Sequence, residues 1–211
     1  MASIEEEIRR SRKAAEEIAS APTSAPEAGQ DTAPTYDPRE LLWGPEPDYT
    51  GIKTTGSRPY NTEYVGYIGR KLREAGVGRE QRASILANII EESGADPFAV
   101  GPGGFYGLIQ WGPDRYARTA EKDPYKEIDN QVQYILDTLS NTTDRKSWTD
   151  GGKGSGYRSY RDAMSDFQSQ DLPTAMKGYT LGHVRPTGKL DSYNNRLKVA
   201  QQVYEREKVR K

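Results

Sequence analysis

Apolar residues recur every three or four positions from residue 61 onward, and this spacing is typical of amphipathic helices. The pattern predicts four main helices with apolar positions at Val65, Ile68 and Leu72, ending at Gly76; at Ala83, Leu86 and Ile90, ending at Gly94; at Ile128, Val132, Ile135 and Leu139; and at Tyr193, Leu197, Ala200 and Tyr204. Two shorter helices are predicted over 158–169 and 173–180. Between the second and third helices, five glycines interrupt residues 96–115, and Phe105 to Trp111 are expected to pair as a small hairpin. The fold class is therefore predicted to be mainly α, a helical domain over 61–205 with a small β or loop insertion.

The pattern is different before residue 61. Residues 1–20 place Ile4, Ile8 and Ile18 at helical spacing and are predicted to form a short amphipathic helix that serves as a docking segment. A frayed helix on a disordered tail is the alternative. Residues 21–60 are rich in proline and have no sustained apolar period, so they are predicted to be an extended linker. Residues 206–211 are predicted to be a charged tail.

Composition excludes several kinds of site. The 211 residues include no cysteine and one histidine, His183, which is expected to be structural or exposed on a loop, with contact to substrate as the alternative. Disulfides, thiol nucleophiles and thiolate zinc sites are therefore excluded, as are metal sites that need two or three imidazoles. Any catalysis should rest on carboxylates, hydroxyls, lysines or a bound cofactor.

Charge and hydropathy narrow the expected partners. Residues 61–211 carry 23 basic and 20 acidic residues, a mildly basic balance that suits an anionic polymer only weakly. There is no dense Lys/Arg stripe, so no nucleic-acid partner is expected. The longest apolar runs are a few residues, so no membrane span is expected. The first residues lack the basic and apolar regions of a signal peptide, so if the protein acts outside the cell that made it, something else is expected to carry or release it.

Glu92 is the strongest candidate for a catalytic residue. It closes the apolar helix directly before Ser93 and Gly94, at a helix C-terminus where the macrodipole disfavours negative charge. If apolar neighbours also desolvate it, the carboxyl group would stay protonated and act as a general acid. Such an acid is what cleavage of a glycosidic bond requires. Glu91 is interpreted as a surface residue.

Glu92-Ser93 followed by the Gly107-Leu108-Ile109-Gln110-Trp111 block resembles the Glu-Ser … Gly-Leu-x-Gln pattern of the lysozyme-like and lytic transglycosylase superfamily. The wider block from Asn88 to Arg115 is similar to the phage tail lysozyme family, and so is the segment from Ala175 to Arg196, which contains Tyr179, Pro186 and Asn195. The likeness covers about residues 62–205. It implies a lysozyme-like fold.

The resemblance also implies a function. A member of this family would be a virion-associated peptidoglycan hydrolase that opens the bacterial wall locally during infection. The expected reaction is muramidase-type cleavage of the β-1,4 bond between amino sugars, which needs no metal or organic cofactor. Residues 1–60 would attach the protein to phage virion or tail proteins. The resemblance assigns the catalytic acid to Glu92 and the substrate-binding positions to Tyr106, Gln110 and Trp111, with Trp111 alternatively packing beneath the cleft.

Three alternatives remain open. A lytic transglycosylase would release anhydro ends, although the Gly101-Pro102-Gly103-Gly104 stretch replaces the serine-containing segment common in that group. A structural virion protein would bind wall glycan without cleaving it. An endolysin would act at host lysis instead of entry.

A second catalytic carboxylate is not fixed by the sequence. Asp96 and Asp114 are the candidates, although Asp96 also suits an ordinary loop start and Asp114 could pair with Arg115. A separation from Glu92 of roughly 5–5.5 Å would suit a nucleophile, and roughly 6.5–9.5 Å would suit a base that activates water. Without such a partner, Glu92 would serve as acid and then as base.

Overall fold

The computed structural model describes residues 46–55, 59–140, 157, 159–184 and 189–208. It is mainly helical, as predicted. The described α-helices are α1 Thr62–Glu74, α2 Arg79–Ser93, α3 Pro124–Ser140, α4 Tyr160–Phe167, α5 Leu172–Lys177 and α6 Lys189–Arg206, with a 3₁₀ turn at Pro102–Gly104 and a π-helix at Gly178–Val184. The amphipathic helix predicted for residues 1–20 lies outside the described residues. In the part of the chain that is described, no helix is both long and apolar enough to cross a membrane.

Helix α2 is the centre of the domain. It packs against α1, α5, α6 and the π-helix, and every residue from Ala83 to Ile90 is buried. The predicted apolar face, with Leu86 and Ile90, is therefore only part of its buried surface, since Ile85 and Ile89 are also in the core. A helix that is surrounded by protein has no solvent face for the apolar pattern to mark. Its predicted end is confirmed, because Gly94 adopts a left-handed conformation (φ +66°) that closes the helix.

Helix α6 packs antiparallel along α2, and two ion pairs join α2 to α6 and the residue after it. Directly after the end of α6, Glu207 is buried and accepts hydrogen bonds from Arg82 Nε at 2.9 Å and from the Tyr49 hydroxyl at 2.5 Å. Glu207 therefore packs on the domain, although it falls within the stretch 206–211 that the sequence predicts to be a charged tail.

Residues 46–55, which fall within the predicted linker, also pack on the domain. Tyr49 and Ile52 are buried in the core, and the backbone N–H of Lys53 donates to the Gln202 side chain on α6 at 2.8 Å. The sequence pattern does not show this packing, since two isolated apolar residues among prolines have no helical or strand period.

The glycine-rich insertion forms a short paired loop. Tyr106 and Trp111 exchange two backbone hydrogen bonds of 2.9 and 3.0 Å, which confirms the small hairpin expected there. The loop is attached to α3 by Gln131, whose side-chain oxygen accepts from the Leu108 N–H at 2.7 Å. Gly107 has φ +80°, and a β carbon there would collide with the Gln131 amide, so glycine is required at this position.

Candidate active site

Ser93, the residue after Glu92, connects the end of α2 to the hairpin loop, which consists of residues 105–111. The Ser93 hydroxyl is buried, 2.8 Å from the Leu108 carbonyl and 3.1 Å from the Ile89 carbonyl, to both of which it is placed to donate. The Glu-Ser pair at the end of α2 and the Gly-Leu-x-Gln turn are thus in direct contact. The motif has a physical reason: the serine fixes the loop at the C-terminus of the helix that carries Glu92.

The Glu92 carboxylate forms an ion pair with Arg196 of α6. Arg196 Nη2 donates to Glu92 Oε1 at 2.8 Å, and the side chains are 8% and 19% exposed, respectively. A guanidinium at this distance fixes the position of the carboxylate through a charge-assisted hydrogen bond. The neighbour of Glu92 is thus a cation where the sequence analysis expected an apolar surface that disfavours ionisation.

Arg196 is itself held on its other sides. Its Nη1 donates to the Asn88 side-chain oxygen at 2.9 Å, and its Nε donates to the Ser192 hydroxyl at 3.0 Å. Asn88 is buried and donates in turn to the Ser84 carbonyl at 2.8 Å and to the Thr180 hydroxyl at 3.1 Å. The end of α2, the middle of α6 and the π-helix therefore meet in one hydrogen-bonded cluster beside Glu92.

Two of the predicted substrate-binding residues, Tyr106 and Trp111, are buried. Tyr106 is 2% exposed and Trp111 is 1% exposed, so neither presents a ring face to a sugar in this conformation. Trp111 stacks on Tyr116 with ring centroids 5.1 Å apart. Burial, followed by the nearby Glu127 carboxylate, raises the pKa of Tyr106. Both rings pack on the buried side of the hairpin loop. For Trp111 this agrees with the alternative expectation that it packs beneath the cleft.

Gln110, the third predicted substrate-binding residue, is partly buried and braces the same loop. Its side-chain nitrogen donates to the Gly107 carbonyl at 2.9 Å and to the Ala99 carbonyl at 3.1 Å. Its φ of +51° is unusual for a residue other than glycine. These hydrogen bonds hold the loop in shape and occupy the amide nitrogen.

Asp96 and Asp114 are both exposed. Asp96 Oδ1 accepts from the Phe98 N–H at 2.9 Å, the local turn that the sequence also suggested. Its side chain lines an open pocket of about 600 Å³ beside the end of α2, together with Tyr60, Asn61, Ser93 and Val100. Asp114 lies on the loop beyond the hairpin.

Arg115 and His183 are in direct contact. Arg115 Nη2 is 3.3 Å from His183 Nδ1, and its Nη1 donates to the His183 carbonyl at 3.3 Å. His183 is buried on the π-helix against the Tyr179 ring, with centroids 5.1 Å apart. Of the two expectations for this histidine, burial fits the structural one and not the exposed loop residue.

Sequence patterns do not predict several residues that build the site. Gln131 and Glu127 are fully buried on α3, and the Gln131 amide nitrogen is 2.7 Å from both the Glu127 carboxylate and the Pro97 carbonyl. Phe105 is 46% exposed on the hairpin loop, which makes it the large aromatic side chain that this loop presents to solvent. Arg196 lies 104 residues from Glu92 in sequence. The sequence indicates it only as the last residue of the segment from Ala175 to Arg196 that resembles the family.

The described ranges contain no group of three or more His, Cys, Asp or Glu side chains arranged as metal ligands. The candidate site consists of one carboxylate that is 19% exposed, its guanidinium partner and a glycine-rich loop held by hydrogen bonds. Acid–base chemistry on a neutral substrate is within reach of these groups.

A buried helix that ends in Glu-Ser and is bonded through the serine to a Gly-Leu-x-Gln turn defines a lysozyme-like domain. The chain belongs to the phage tail lysozyme family, whose sequence model matches residues 65–206. The match includes Glu92, the hairpin loop and Arg196, and membership indicates lysozyme-like degradation of peptidoglycan. Comparison with curated proteins gave no match, and comparison with solved structures gave none.

Proposed function

We propose that this protein cleaves the β-1,4 glycosidic bond between the amino sugars of peptidoglycan, with Glu92 donating the proton to the leaving oxygen. The observation that carries the proposal is the placement of Glu92. Its side chain is 19% exposed at the end of the buried helix α2, and the adjacent Ser93 is bonded to the glycine-rich loop. A carboxyl group that is fixed by protein on one side and open on the other can reach a bound glycan.

The loop supplies a surface for the sugar. Phe105 exposes an aromatic ring there, and aromatic rings stack on the apolar faces of sugars. Tyr106, Gln110 and Trp111 act behind this surface by holding the loop in position.

Asp96 is the better candidate for the second carboxylate. Its backbone N–H donates to the Ser93 carbonyl at 3.3 Å, and its side chain lines the pocket that Ser93 also lines. In a hydrolytic reaction, Asp96 would activate the attacking water or stabilise the sugar cation. Asp96→Asn should then slow hydrolysis, whereas Asp114→Asn should leave the rate unchanged if Asp114 is only a loop residue.

The decisive experiment compares wild type, Glu92→Gln and the control Glu91→Gln on purified peptidoglycan from a panel of bacteria. Glu91 is the matched control because it is the adjacent carboxylate and accepts from the Thr55 N–H and hydroxyl at 3.0 and 2.8 Å. We expect wild type and Glu91→Gln to release soluble fragments and Glu92→Gln to release almost none. Equal release by all three proteins would show that Glu92 takes no part in the mechanism. If none of the three releases fragments from any of the walls, a structural, glycan-binding protein is favoured.

Mass spectrometry of the released fragments separates the two enzymatic reactions. Reducing ends identify a hydrolase of the muramidase type, and anhydro ends identify a lytic transglycosylase. We expect reducing ends, because the serine-containing segment common among transglycosylases is replaced by Gly101-Pro102-Gly103-Gly104.

The place of action is proposed to be the phage particle at the bacterial wall during infection, with residues 1–60 contacting other virion or tail proteins. Detection of the chain in purified particles would support this, and its absence from particles together with its presence in lysing cells would identify an endolysin instead. A phage that encodes the chain without residues 1–45 should lose the protein from its particles while the purified domain keeps its activity.

A further inference from the structure

The guanidinium of Arg196 is immobilised on every nitrogen. Nε, Nη1 and Nη2 donate to Ser192, Asn88 and Glu92, at 3.0, 2.9 and 2.8 Å. A planar fork bonded in this way cannot rotate without breaking several hydrogen bonds at once. The Glu92 carboxylate therefore takes its orientation from a group that is fixed by both α2 and α6.

A second ion pair joins the same two helices and provides a comparison. Arg82 on α2 pairs with Glu207, the residue directly after α6, and the Glu207 side chain is 1% exposed. Both Glu207 oxygens are used, one by the Tyr49 hydroxyl and the other by Arg82. That pair is closed to substrate, whereas the Glu92 side chain keeps 19% of its surface exposed.

We propose that Arg196 is the positioning residue for Glu92, orienting its carboxylate toward the glycan. The inference rests on the proposed role of Glu92 as proton donor. Correct orientation of the donor raises the rate of proton transfer without changing how the glycan binds. Removal of the guanidinium should therefore lower the maximal rate and leave the half-saturating glycan concentration unchanged.

The test measures the maximal rate and the half-saturating concentration for fragment release from soluble peptidoglycan strands for wild type, Arg196→Gln, Arg196→Lys and Arg82→Gln. For Arg196→Gln we expect a maximal rate more than tenfold lower with an unchanged half-saturating concentration, because the donor has lost its orientation and the glycan-binding surface is intact. Arg196→Lys should also lower the maximal rate, since it keeps the charge and loses the planar fork. Arg82→Gln breaks the comparison ion pair, so it should lower the melting temperature and leave both kinetic constants unchanged.

Two outcomes would overturn the inference. One is that Arg196→Gln and Arg82→Gln have equal maximal rates at matched stability. The other, which decides the matter if Arg196→Gln does not fold, is an unchanged maximal rate in Arg196→Lys. Glu92→Gln is measured alongside: full activity in that variant overturns the proposed function and this inference together, whereas lost activity combined with either outcome above overturns the inference alone.

Discussion

The buried amide of Gln131 joins the hairpin loop to α3 by hydrogen bonds, and its removal gives a stability change that can be worked out from the structure. Gln131 is fully buried. Its oxygen accepts from the Leu108 N–H at 2.7 Å, and its nitrogen is 2.7 Å from both the Pro97 carbonyl and the Glu127 carboxylate. Gln131→Met keeps the length of the side chain and removes all three interactions.

The expected loss is large compared with the stability of a domain. The Leu108 N–H and the Pro97 carbonyl would lose these partners while buried, and each such group costs about 1–3 kcal/mol. We therefore expect Gln131→Met to lower the free energy of unfolding by about 2–6 kcal/mol, against a total of about 5–15 kcal/mol for a typical domain. With a urea m-value of about 2 kcal/mol/M, the denaturation midpoint should fall by about 1–3 M.

The assay is urea denaturation followed by circular dichroism, with Gln133→Met as the matched control. Gln133 lies on the same helix, and its exposed amide donates to Asp137 at 2.7 Å, so its loss should cost less than about 0.5 kcal/mol. Gln131→Met should also slow peptidoglycan cleavage, because Leu108 is the residue that Ser93 bonds. Equal midpoints for the two variants would show that the buried amide does not hold the loop.

Three further predictions follow from the hairpin loop and the core. Gly107→Ala should cost about 1–3 kcal/mol more than Gly104→Ala in thermal melts, because both residues have positive φ but only at 107 would the β carbon collide with Gln131; equal costs would refute this. Phe105→Ala should raise the half-saturating glycan concentration about threefold to tenfold with the melting temperature unchanged, and an unaltered value would exclude ring stacking. Burial raises the pKa of Tyr179, so the stability it contributes is present below pH of about 10 and is lost as the pH rises further; the urea midpoint should fall between pH 8 and pH 11, and less so in Tyr179→Phe.

The helices and the end of α2 follow from local signals in the sequence. The apolar period marks α1, α3 and α6, and Gly94 marks the end of the central helix because only a left-handed residue closes it there. The Glu-Ser pair and the hairpin are local as well, since Ser93 reaches Leu108 only 15 residues further on. Such features depend on residues close in sequence, where spacing carries the information.

The rest depends on contacts that spacing does not encode. Arg196 reaches Glu92 from 104 residues away, and a lone arginine on a polar helix face gives no sign of its partner. The burial of Tyr106 and Trp111 depends on how α3 covers the loop, and neighbouring tyrosines look the same whether they contact a sugar or a core. The hydrogen bond from Tyr49 to Glu207 joins residues 158 positions apart, so the proline-rich sequence around Tyr49 does not predict it.

The most direct test of the central claim is whether Glu92 delivers a proton to the leaving oxygen. The measurement compares Glu92→Gln with wild type on natural glycan and on a peptidoglycan oligosaccharide that carries a dinitrophenyl leaving group, which departs without protonation. A proton donor contributes about 10²–10⁴-fold to the rate, so we predict a loss of that size on natural glycan and a loss below about tenfold on the activated substrate. Equal losses on both substrates, with Glu91→Gln behaving as wild type, would contradict the account.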